Sequence, residues 1–137
     1  MFGGIHITNS PNATDTVQFT TIVNNHAETN VVGGVLCDGE TQSLTFSSNI
    51  ISGNDLANNA ETSGGGCAYT FSDFFPTSAF ELGTGNGSGD PMLDSEYKLQ
   101  AGSYAIDRAD GSATITIDYF GDKRPDGSGF DMGADEY

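Results

Sequence analysis

A chain of 137 residues holds one domain with a modest core. Four Lys and Arg against 19 Asp and Glu leave a formal charge of −15, which repels phosphate backbones and anionic lipid surfaces and so argues against nucleic acid as a partner. No apolar run reaches about 18 residues and the start, MFGGIHIT, lacks the basic-then-apolar layout of an export leader, so membrane insertion is not expected.

Helical periodicity is nearly absent, and Gly, Asn, Ser and Thr punctuate short runs of Val, Ile, Thr and Phe, which reads as β throughout. Gly3-Gly4, Gly33-Gly34 and Gly65-Gly66 follow one another at spacings of 30 and 32 residues, each opening a strand-like run: Ile5-His6-Ile7, Val35-Leu36-Cys37 and Cys67-Ala68-Tyr69. A period of this size marks a solenoid, whose units bury a core only by stacking. In-register stacking predicts inner columns of Ile5, Val35, Cys67 and of Ile7, Cys37, Tyr69, with His6, Leu36 and Ala68 outside. It also sets Phe19 over Phe46, continued by Phe71, Phe74 or Phe75. Asn25 and Asn54 follow their strands in equivalent places and suit corners, where an amide can bond the neighbouring turn. Residues 27–32 and 55–63 read as loops, and His26 as a surface residue.

Within this register Cys37 and Cys67 occupy different columns, about 8 Å apart on the diagonal. A disulfide tolerates at most about 7 Å, so both are expected to be reduced and buried. Gly83 to Gly89 reads as a flexible crossing, dividing repeated coils over 1–82 from a cap over 83–137 with short strands near Tyr97–Leu99 and Ala113–Tyr119. Because Gly3-Gly4 already lies inside the repeat, the chain reads as part of a longer parent. Only Met1 and Phe2 precede that pair, so the first turn is expected to stay open and to join a second copy in a homodimer through Ile5, Ile7, Phe19 and Val23.

The end of the chain carries a more specific pattern. Asp90-Pro91-Met92-Leu93, Glu96-Tyr97-Lys98-Leu99-Gln100, Gly102-Ser103 and Ala105-Ile106-Asp107, then Gly121, Arg124-Pro125 and Asp131-Met132-Gly133-Ala134-Asp135-Glu136-Tyr137, resemble the signature closing many bacterial right-handed parallel β-helix surface proteins. These are the choice-of-anchor type within the pectin-lyase-like superfamily; Asn49 to Asn54 and Gly64 to Gly66 are similar to that family's coil consensus. Tyr104 stands where the family commonly has Pro, and Phe120 where it has an acidic residue. The resemblance implies an all-β, right-handed parallel β-helix of about three coils with a C-terminal cap. It also implies a secreted or cell-surface location.

Related β-helices degrade acidic glycans, using a base near calcium or clustered carboxylates. Here Lys98, Arg108, Lys123 and Arg124 all fall in the expected cap, and the coils offer Asp15, Asp38, Glu40, Asp55 and Asp73 singly. The expectation is therefore a non-catalytic structural, adhesive or glycan-binding module, with a fragment of a polysaccharide lyase or glycoside hydrolase as the alternative. Tyr69, Phe71 and Phe74 are the candidates for stacking on sugars. Asp107, Asp110, Asp118 and Asp122 are the candidates for a Ca²⁺ site, although no EF-hand or nonapeptide spacing accompanies them.

Overall fold

The short β-rich runs make three successive passes, each contributing one strand to each of three sheets. The computed structural model describes residues 4–8, 10, 12, 14–27, 32–39, 44–54, 61–76 and 83–137. The first pass supplies β1 (Ile5–Thr8), β2 (Thr16–Gln18) and β3 (Thr21–Val23); the second, β4 (Val35–Asp38), β5 (Leu44–Ser47) and β6 (Ile50–Ser52); the third, β7 (Thr62–Ser63), β8 (Cys67–Thr70) and β9 (Asp73–Phe75). They pair in the orders β1-β4-β7, β2-β5-β8 and β3-β6-β9, all parallel. The described residues contain no helix.

Alternation decides what lies between the sheets. Ile5 pairs with Val35 and Ile7 with Cys37, as the glycine spacing predicts, and Gly4 and Gly34 stack so closely that a side chain on Gly4 would collide with the Gly34 carbonyl, as one on Gly34 would with the Glu61 carbonyl. Val17, Phe46 and Tyr69 form the column of the second sheet, and Ile22, Ile51 and Phe74 that of the third. Burying Phe46 and Ile51 completely contributes about 2 to 3 kcal/mol each.

The third pass departs from the expected register. Glu61 and Thr62, expected in a loop, follow Gly34 and Val35, while Gly65-Gly66 sits between β7 and β8. Cys67 therefore lies beside Leu44 and not in the Val35 column. This shift brings the Cys37 and Cys67 α-carbons to 5.8 Å, and the two form a disulfide, correcting the expectation of reduced thiols. Phe19 likewise does not stack on Phe46; Val17 takes that place. Residues 28–31 and 55–60, expected in loops, lie outside the described residues, as does Glu40.

Phe19 instead turns the corner from β2 to β3. Phe19, Ser48, Phe71 and Gly85 occupy one corner in four successive layers, all left-handed, with φ of 49°, 61°, 46° and 73°. The following residues, Thr20, Asn49, Ser72 and Asn86, form a ladder. The Thr20 amide donates to Asn49 Oδ1 (2.9 Å), that of Asn49 to Ser72 Oγ (3.2 Å), and that of Ser72 to Asn86 Oδ1 (2.9 Å). Asn54 works similarly at the next corner, accepting from the Asn25 amide and donating to the Ile22 carbonyl.

The ladder corrects the reading of Gly83 to Gly89 as a flexible crossing. Phe71 donates to the Thr84 carbonyl, Gly87 bridges Asp73 in parallel, and Phe74 donates to the Gly87 carbonyl, so the segment is a partial fourth layer. The Tyr104 ring lies where side chains on Gly87 and Gly89 would project.

Residues 90–137 pack along the outer face of β3-β6-β9, where Ile50 joins Leu99, Ala105 and Met132 in a second core. Three contacts fasten them there: Gly133 donates to the Ser48 carbonyl (2.9 Å), Asp110 to Ser48 Oγ (3.0 Å) and Ala134 to Thr21 Oγ1 (2.9 Å). The expected cap thus runs along a flank, and its expected strands reduce to isolated antiparallel bridges, Leu93 with Leu99 and Ile117 with Lys123.

The disulfide closes a sequence separation of 30 residues, a constraint on the unfolded chain of about 3 to 4 kcal/mol. Urea unfolding with and without reductant should differ by roughly that amount. Identical midpoints, or non-reducing peptide maps lacking a Cys37–Cys67 crosslink, would contradict the pairing.

Candidate binding cleft

The corner at Phe19 also founds a concavity. Phe19 is buried between the Phe130 ring, with centroids 6.0 Å apart, and the Arg124 guanidinium, 4.6 Å above its own ring. Arg124 is only 2% exposed and grips the end of the chain. Its Nη1 donates to the Asp131 carbonyl (3.1 Å), its Nη2 to those of Gly133 (2.8 Å) and Asp135 (2.9 Å), and its Nε lies 3.6 Å from Glu136. A planar fork can satisfy several fixed carbonyls at once, which a lysine cannot.

The chain before Arg124 is held by the same end. Asp118 accepts from the Asp122 amide on Oδ1 (2.7 Å) and from the Glu136 amide on Oδ2 (3.0 Å), while Tyr119 donates to the Ala134 carbonyl. An arm over residues 115–120 consequently stands beside the first pass. Between them opens a cleft of about 800 Å³. One wall is Phe19, Ile22 and Val23; the facing wall is Ile115, Ile117 and Tyr119. Thr20, Asn25, Glu96 and Tyr97 add polar groups around it. Tyr119 is 80% exposed, Ile117 58% and Tyr97 51%, an apolar surface of the kind that marks recognition sites.

The residues proposed for sugar stacking are elsewhere. Tyr69 and Phe74 are core residues in contact with each other, and burial pushes the Tyr69 hydroxyl up to about 12. Phe71 is half-buried, its ring against Gly85. The four aspartates suggested for calcium do not converge. Asp107 Oδ1 accepts from the Gly129 amide, Asp110 Oδ1 caps a turn at Ser112, Asp118 is committed as above, and Asp122 lies 3.8 Å from Lys98 Nζ. Among the described residues, no three His, Cys, Asp or Glu side chains are grouped to hold a metal ion. His6 faces outward as expected, with Nε2 2.8 Å from Asp38 Oδ2.

The cleft residues Tyr97, Ile117, Tyr119 and Phe120 were not among the candidates. Their signal was the alternation Ile115, Ile117, Tyr119 in a stretch with no repeated counterpart, a strand pattern lacking an obvious core to face.

A separate group of buried carboxylates bears on stability. Asp73 is fully buried on the outward face of β9; its Oδ1 accepts from the Gly89 amide (2.9 Å) while Oδ2 has no hydrogen-bond partner. Desolvation pushes its pKa up to about 7, Asp90 reinforcing the rise and Arg108 opposing it. Burial also raises Glu61, Asp131, Asp135 and Glu136.

Comparison with protein-family models, curated proteins and solved structures finds no match to this chain.

The sign of the pH effect follows from Asp73. The native state holds its proton until about pH 7 whereas an unfolded Asp releases it near pH 4, so stability falls as pH rises between these values. Asp73→Asn keeps an acceptor for Gly89 and removes the ionisation. It should raise stability at pH 7.5 by a few kcal/mol and flatten the slope between pH 4 and 7, measured by denaturant titration across pH. An unchanged slope would show that Asp73 ionises freely in the native state.

Proposed function

We propose that the three passes form a right-handed parallel β-helix of about three coils, with the C-terminal segment packed along its flank. On this reading, which the sequence resemblance to choice-of-anchor, pectin-lyase-like proteins supports, the chain is a non-catalytic structural or adhesive module of a secreted or cell-surface protein. Its working surface is the cleft between the first pass and the arm.

The observation that carries this reading is the composition of that cleft. Its walls are mostly aliphatic and aromatic, and of the three charged groups lining it, Glu96, Asp118 and Arg124, two are already engaged in the architecture: Arg124 holds three carbonyls, and both Asp118 oxygens accept backbone amides. Groups fixed in this way suit recognition by shape and apolar contact better than proton transfer. A fragment of a lyase or hydrolase is therefore the less favoured reading.

A second occupant has support from the exposed rings of Tyr97 and Tyr119, whose apolar faces and hydroxyl tips suit a glycan. The charge of −15 favours a neutral sugar over a polyuronate. This transfers the glycan-binding role from Tyr69, Phe71 and Phe74 to the cleft.

The test compares the native chain with the double variant Ile117→Ser, Tyr119→Ser for retention on immobilised native chain, neutral oligosaccharides and polygalacturonate. Retention on at least one surface should fall tenfold or more in the variant while its circular dichroism is unchanged. Equal behaviour of both proteins on every surface would rule out the cleft as the working surface. Eliminative cleavage of polygalacturonate would restore the lyase reading.

A further inference from the structure

We infer that residues 87–90 form a proton-controlled strap: they lie closed over Asp73 while its carboxyl carries a proton, and swing aside to admit water when it ionises, leaving the three passes folded. The device sits on the outer face of β9, apart from the cleft.

Asp73 stands in an outward column, with Ile50 on one side and Gly87 on the other, and is completely buried. Its Oδ1 accepts one amide, from Gly89 (2.9 Å), and among the described residues Oδ2 accepts none. An ionised carboxylate offers about four lone-pair sites, so a single amide in a dry site leaves most of its charge unsolvated. The cover over it is thin. Gly87 and Gly89 bury no side chains of their own, and a few backbone bonds tie the strap down: Gly87 donates to the Ser72 carbonyl (3.0 Å) and accepts from the Phe74 amide (2.9 Å), while the Asp90 carbonyl accepts from Tyr104 (3.0 Å). The Tyr104 ring fills the space over both glycines, and the Arg108 guanidinium lies 4.2 Å from its centre.

The groups around Asp73 set the direction of the switch. β6 brings Ile50 to it and the strap brings two glycines, none of them ionisable; the strap also carries the Asp90 carboxylate, and the stretch packed on it carries the Tyr104 phenol and the Arg108 guanidinium. Desolvation is the largest influence and holds the proton on Asp73 until about pH 7; Asp90 acts the same way, while the Gly89 and Phe74 amides and Arg108 oppose it. Above that pH the new charge must reach water. β9 cannot open the path, because Phe74 is locked in the core and the strand pairs with β6 along its length. The strap can, since its release breaks a few backbone bonds and gives up little apolar burial of its own. Its two ends are anchored. Asn86 accepts from the Ser72 amide and donates to the Tyr69 carbonyl just before it, and Pro91 is buried just after it.

Hydrogen exchange followed by NMR, corrected for intrinsic rates, tests this on the whole chain between pH 5.5 and 8.5. Protection at the Phe74, Gly87 and Gly89 amides should fall at least tenfold as pH rises through about 7, while that of Phe46 and Ile51 in β5 and β6 stays constant. Asp73→Asn should keep all five amides protected at both ends of the range. Asp90→Asn retains an Oδ1 acceptor for Met92 but removes a like charge, so at low ionic strength the midpoint of opening should move to lower pH, a shift that a purely structural role would not produce. Constant protection at Gly87 and Gly89 would overturn the inference, as would an equal loss in β5 and β6, which means global unfolding. A loss that persists in Asp73→Asn, or a midpoint unmoved by Asp90→Asn, would assign the opening to another group and overturn it too.

Discussion

The structure depends on one repeated corner. After the second strand of each pass the chain enters left-handed backbone space for a single residue, and the next residue bonds the layer beside it. For Phe19, Ser48 and Phe71 this conformation costs roughly 1 kcal/mol each, a cost offset by the ladder through Thr20, Asn49, Ser72 and Asn86. The corner fixes which residues of β3, β6 and β9 face inward. It sends Ile22, Ile51 and Phe74 to the core and turns Thr21, Ile50 and Asp73 outward. The flank on which residues 90–137 pack is thus a product of the corner, as is the position of Phe19 beneath Arg124.

The acidic C-terminal third resembles a solvated, ion-binding surface in composition, yet much of its charge is used as hydrogen-bond acceptors. Asp90 and Asp94 hold local turns; Asp107, Asp118, Asp131, Asp135 and Glu136 accept backbone amides from other stretches of the same layer. With few helices or strands to satisfy their amides, these turn-rich residues need acceptors, and carboxylates supply them at good strength. Arg124 performs the converse task for carbonyls. Carboxylates committed to such bonds have fewer lone pairs left for a cation.

The first strands of the first two passes were legible because their glycine pairs and apolar alternation coincide: β1 with β4, the Ile5–Val35 and Ile7–Cys37 partners, and the outward His6 all follow from the sequence. Their second strands were not, since Val17 and not Phe19 lies beside Phe46. The third pass was misread because Gly65-Gly66 looks like Gly33-Gly34 but serves another corner. The true counterpart of Gly34 is Glu61, whose carboxylate is buried against Asn54 and has no glycine-like signature. That one shift moved Cys67 to a new neighbour and changed the expected redox state. The cleft was harder to see, since it joins Phe19 to Tyr119 across most of the chain, and no periodicity links them. Tyr69, Phe71 and Phe74 illustrate the same limit: an aromatic in a stacked sheet has the same sequence pattern whether its ring faces core or solvent.

The buried carboxylates also change what the molecule presents to an electric field. The formal charge of −15 counts every Asp and Glu as ionised, but desolvation keeps Asp73 partly protonated near neutrality and delays the ionisation of Glu61, Asp131, Asp135 and Glu136. The folded chain therefore carries fewer negative charges than its unfolded form in mildly acidic buffer. Native isoelectric focusing should bring it to rest above the sequence value of about 4.1, and urea should shift the band toward the anode as those protons are released. Its electrophoretic mobility is accordingly a readout of folding itself.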